Sequence, residues 1–182
     1  MTSTHGIELD APDNEIPISL AVNLVLGRGP DVAILLPSVD VYTTGIQLQV
    51  QVKMRQGVDS LSQHPIEAMS GRLGPADEAH QPSRLMLGVE FADGQRAIAS
   101  RYYSGVTHQR LRDEPLTPSL TVGGGLGGPL RALVQYWVRP LPDGPMRLLC
   151  SWADAHVAET TTTIGGGEIA DAARRVVVLW PR

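Results

Sequence analysis

Lysine, cysteine and phenylalanine each occur once in these 182 residues, and aromatic side chains make up only 4% of them. The lone thiol, Cys150, excludes an intramolecular disulfide and a four-cysteine zinc site, so packing has to hold the fold together. No apolar run approaches the roughly 20 residues of a membrane-spanning helix. The first ten residues carry neither the basic start nor the apolar stretch of a secretion signal. A soluble, cytoplasmic protein with no membrane attachment is therefore expected. Excess positive charge is missing as well: a net charge of −4 and a pI near 5.7 argue against nucleic acid as a partner. No segment repeats at a period of 20 to 50 residues, which sets aside solenoids and propellers. What remains is ample for one domain, since 42% of the chain is hydrophobic.

The clearest positive signal lies at residues 46–55. Ile46, Leu48, Val50, Val52 and Met54 alternate with Gln47, Gln49, Gln51, Lys53 and Arg55. Side chains of a strand repeat every two residues, so this is a β-strand with one apolar and one polar face. One-sided strands belong to antiparallel sheets. The same alternation predicts strands over 18–26, 130–138 and 146–152. Shorter runs at 32–36, 85–91, 96–102, 158–164 and 176–180 add to them, with Pro37 expected to end the 32–36 strand and Ala92-Asp93-Gly94 to turn a hairpin. Residues 168–174 read as a short helix, acidic at its start and basic at its end. The expected architecture is all-β: a two-sheet antiparallel β-sandwich over residues 16–182, wired in an immunoglobulin-like or jelly-roll manner, with one short C-terminal helix. Residues 1–15 read as a disordered tail, and 56–83 and 104–129 as long loops.

Candidate chemistry is sparse. Residues 123–128, Gly-Gly-Gly-Leu-Gly-Gly, satisfy the letters of G-x-G-x-x-G. A dinucleotide site needs a helix next, whereas Pro129 and an alternating strand follow. A flexible loop is the better reading, with a loop that lets another backbone come close as an alternative. Arg101, Tyr102, Tyr103, His108, Arg110 and Arg112 interleave cations with aromatics, a mixture that can stack bases or bind a partner. Asp113 and Glu114 dilute it. Asp154 and His156 are the metal candidates, since alternate residues of an extended segment point the same way, although exposed turn residues explain them equally well. Cys150 shares its parity with Met146, Leu148 and Trp152 and reads as a buried thiol. Tyr136, Trp137, Trp152 and Trp180 read as core, with a sugar-stacking platform as the sharper alternative. Neither a catalytic residue nor a cofactor emerges from these patterns.

Two segments carry a resemblance. One runs from Asp31-Val32-Ala33-Ile34 through Tyr42-Thr43-Thr44-Gly45 into the 46–55 strand. The other is Tyr136-Trp137-Val138-Arg139-Pro140-Leu141-Pro142 with Gly144-Pro145, then Trp152 and Leu179-Trp180-Pro181. Together they resemble a family of uncharacterised small proteins from high-GC Gram-positive bacteria, with a Gly-rich stretch before the Trp-Pro-Leu-Pro turn. Thr43, where a proline is expected, and Asp143 depart from that pattern. The resemblance implies no activity and transfers no catalytic residue. The functional expectation is a non-catalytic binding or protein-interaction module, as a homo-oligomer or with a protein partner, through an exposed sheet edge or the Gly-rich stretch. The alternative is a hydrolase or carbohydrate-active jelly roll using Glu90, Asp93 or Glu159.

Overall fold

The computed structural model describes residues 11–55, 85–99, 118–128 and 130–180. Two antiparallel sheets face each other. The larger contains β2 (Ile18–Arg28), β3 (Val32–Val41), β4 (Ile46–Met54), β7 (Ser119–Gly128) and β8 (Arg131–Arg139), in the order β2-β3-β4-β8-β7. The smaller contains β5 (Met86–Glu90), β6 (Arg96–Ile98), β9 (Met146–Trp152) and β10 (Val157–Ile164), in the order β10-β9-β5-β6. A meander and three hairpins thus alternate between the sheets. A two-stranded ribbon, β1 (Glu15–Ile16) with β11 (Val177–Val178), joins the two far ends of the described chain.

The alternating pattern of β4 explains its position. Ile46, Leu48, Val50 and Val52 are fully buried between the sheets, and β4 is the central strand of the larger one. Each such side chain contributes about 1.5–3 kcal/mol on burial. Leu87, Val89, Met146, Leu148, Cys150 and Trp152 close the core from the smaller sheet. Burial raises the Cys150 thiol from its ordinary 9.0 to about 12, which keeps it protonated. Tyr136, also buried, is pushed up by desolvation first and by Cys150 second. Helix α1 (Gly166–Ala173) buries Ile169 and Ala172. Its first residue sits so close to Gly144 that a Cβ there would lie 2.2 Å from a backbone carbon.

Three local expectations change. Pro37 does not end a strand, because β3 runs on to Val41. The register with β4 shifts between Leu35 and Val39, and a bulge is where a residue without an N–H is tolerated. Residues 119–128, placed at the end of a loop by their glycines, form edge strand β7. An edge strand pairs on one side only, and β8 supplies that pairing along Ser119–Val122 and Gly125–Gly128. Residues 11–15 are not a free tail, since Glu15 belongs to β1 and both of its carboxylate oxygens accept bonds from Thr43.

Candidate ligand cleft

The register of the larger sheet lines up one polar row on its outer face. Ser19 faces Asp40, Asp40 faces Gln47, Gln47 faces Trp137, and Trp137 faces Thr121. The Gln49 amide donates to Asp40 at 2.7 Å and to Gln47 at 3.3 Å, and Ser19 donates to the same aspartate. Trp137 is the odd member. It stands at an outward position of β8, in step with Gln135 and Arg139, and yet is only 1% exposed. Two things cover it. The Tyr42 ring meets it edge-on, with centroids 5.5 Å apart and planes at 85°, a favoured aromatic geometry. Gly45 lets the turn after β3 press against the indole, where a Cβ would come within 2.7 Å of the ring.

Over this row lies a cleft of about 480 Å³. Residues 11–16 form one wall as a strap, with Asp13 and Glu15 facing the space. The floor is Gln47, Gln135 and Trp137, and the opposite rim is the backbone of Gly123 and Gly124. That rim comes from a second bulge, in which Gly123 and Gly124 of β7 oppose the single residue Gln135 of β8. The strap is held by the β1–β11 pairing, by the Leu179 N–H donating to the Asn14 carbonyl at 2.8 Å, and by Glu15 on Thr43.

The cleft's electrostatics are one-sided. Asp13 and Glu15 line it, and no lysine or arginine does so among the described residues. The Tyr42 phenol is held above its ordinary pKa by burial first, then by Asp40, Glu15 and Asp13, so it remains a neutral donor. The indole Nε1 of Trp137 is closed off from water and finds no hydrogen-bond partner. An unmet buried donor costs about 1–3 kcal/mol. Structures rarely keep one without a reason.

The residues singled out in the sequence fall elsewhere. Glu90 is 5% exposed on the outer face of the smaller sheet, clamped between its neighbours across the strands: Arg96 at 2.5 Å on β6 and Arg147 on β9. Asp93 is tied into its own turn by the backbone N–H and side-chain amide of Gln95, at 2.9 and 2.6 Å. Glu159 lies on β10, two strands from Glu90. The register separates their backbones by about 10 Å across the sheet and about 13 Å along it. Glu159 therefore does not converge with Glu90. Asp154 and His156 occupy the exposed 3₁₀ turn Ala153–Ala155 and its left-handed exit, where the His156 N–H donates to the Ala153 carbonyl. No group of three potential metal-binding side chains gathers among the described residues. Tyr136 and Trp152 are core residues, Trp137 is buried edge-on rather than offering a stacking face, and Trp180 is exposed. The cation–aromatic segment from Arg101 through Tyr102, Tyr103, His108 and Arg110 to Arg112 lies outside the described residues. No described helix is long and apolar enough to cross a membrane.

The cleft's acidic wall and its glycine rim escape a reading of the sequence, because residues 13–15, 123–124 and 135–137 meet only through the register. One signal was available. A tryptophan at the polar parity of β8 implies that something covers it.

Comparison with family models, with functionally described proteins and with solved structures returns no match for this chain.

Proposed function

We propose that this protein is a non-catalytic binding module whose ligand occupies the cleft between the residue 11–16 strap and the bulge of β7. The observation that carries this reading is a polar cleft with Asp13 and Glu15 on its wall and no described cation, floored by Gln47, Gln135 and Trp137. Asp13 and Glu15 favour a ligand that carries positive charge. The hydrolytic alternative loses ground because Glu90 is neutralised by two arginines and Asp93 is engaged in its turn.

The test is an NMR titration of the three indole N–H resonances with lysine amide as probe, with Trp137→Phe identifying the Trp137 signal. The Trp137 resonance is expected to move and the core Trp152 resonance to stay. If the Trp137 signal is unmoved at tens of millimolar probe, the cleft is not a binding site for cationic groups.

A further inference from the structure

Three of the five glycines of β7, Gly123, Gly124 and Gly128, have no internal explanation among the described residues. At Gly29 and Gly45 a Cβ would strike backbone oxygens at 2.1 and 2.4 Å, so the fold demands glycine there. A Cβ at Gly123 or Gly124 would make ordinary contacts, at 3.4 and 3.6 Å, and one at Gly128 would meet nothing within 4 Å. None of the three has the positive φ that favours glycine. At these three positions, then, the missing side chains serve neither packing against described residues nor backbone conformation. Their absence bares the outer edge of the sheet. Edge strands are ordinarily guarded by charged side chains or proline. From Gly123 to Gly128 this one carries a single side chain, Leu126, which is 77% exposed.

Two further features adjoin that edge. Gly123 and Gly124 form the rim of the cleft, and across it stand Asp13 and Glu15. Resting on the binding reading above, we propose that the ligand is an extended polypeptide segment. It adds as a strand to the edge of β7 and directs a lysine or arginine side chain toward Asp13 and Glu15. Strand addition draws affinity from main-chain hydrogen bonds and specificity from alternate side chains. A backbone without side chains is where another backbone approaches closely. The charge is complementary, since the cleft wall offers carboxylates and no described cation.

Fluorescence anisotropy with labelled acetyl-Thr-Val-Lys-Val-Thr-amide tests the proposal on the full chain. Three companions go with it: the same peptide with norleucine for lysine, the same peptide N-methylated at alternate residues, and free lysine amide as competitor. Expected are saturable binding, at least tenfold weakening by N-methylation, and at least fivefold weakening by norleucine. Asp13→Asn, at an exposed position whose side chain bonds to no described residue, should shrink the lysine preference without moving the melting temperature. Equal binding of the N-methylated peptide overturns strand addition, and equal binding of the norleucine peptide overturns the charge assignment. Lysine amide shifting the Trp137 signal while no peptide binds sinks the inference and leaves the binding cleft standing. Silence from both sinks the two together. A dimer lost on Gly124→Val, with no peptide bound, would assign the edge to a second copy of the chain instead.

Discussion

The two lateral seams of the sandwich are built in opposite ways. On one side β2 and β10 are drawn together. Thr160 of β10 donates to the Leu26 carbonyl of β2, Gly27 lies against Val157, and Gly29 against the Ala155 carbonyl. On the other side β7 ends the larger sheet, buried along Ser119–Val122 and exposed from Gly123 to Gly127. Both seams rely on glycine, but for different ends. At the β2–β10 seam the missing Cβ lets one part of the chain touch another. At β7 it leaves room that nothing in the described chain fills. Glycine within a strand costs about 0.5–1 kcal/mol relative to alanine. The first seam recovers this through contact, and β7 does not.

Substitutions at the two seams should separate these roles. Gly29→Val is expected to have the largest effect, because its Cβ would overlap a backbone oxygen that cannot swing away. Loss of at least about 3 kcal/mol is expected by urea denaturation. A midpoint equal to wild type would mean the β2–β10 seam is not closed as described. Next comes alkaline pH, sensed by Cys150, whose sulfur lies 3.6 Å from where a Gly27 Cβ would stand. The unfolded chain releases its thiol proton from pH 9.0, whereas the folded protein holds it to about 12. The unfolded state therefore loses protons first, and stability falls across that window by up to about 1.4 kcal/mol per pH unit. Cys150→Ala should delay the decline to above pH 10, where the raised tyrosines take over. An unchanged onset would place the thiol in contact with solvent.

Thr160→Val keeps the shape of the side chain and deletes its bond to the Leu26 carbonyl. A loss of about 1–2 kcal/mol is expected, and a smaller one would show that the seam closes by packing alone. Gly128→Ala on the open edge is the mildest, within about 0.5 kcal/mol of wild type and of either sign. A large loss there would reveal a contact at β7 and erase the contrast.

What the sequence discloses follows the range of the forces involved. The faces of β4 are written in ten consecutive residues, and burial of Ile46 to Val52 agrees with them residue by residue. The 92–95 turn is equally local. Pro37 misleads because proline ends strands by local rules, while the bulge that accommodates it depends on β4. The glycines at 123–128 mislead for the same reason, since nothing nearby announces that β8 will pair with them. Glu90 was visible as a mid-strand carboxylate. One of its arginines comes from the adjacent hairpin strand, but the other arrives from 57 residues away. The cleft is the extreme case. Its walls combine residues 13–15, 42–47, 123–124 and 135–137, four separate stretches spread over about 125 residues.

The ribbon of β1 with β11 adds a constraint in time. The strap that walls the cleft is fastened by Val177, Val178 and Leu179. On a ribosome residues 14–16 emerge early and must wait through some 160 further residues for that fastening, at roughly 5–20 residues per second. A growing chain can assemble β2, β3 and β4 in the meantime, but its acidic wall has nothing to close against. The strap-walled cleft therefore forms only once residues 177–179 have emerged, and any partner that needs this wall is ignored until then.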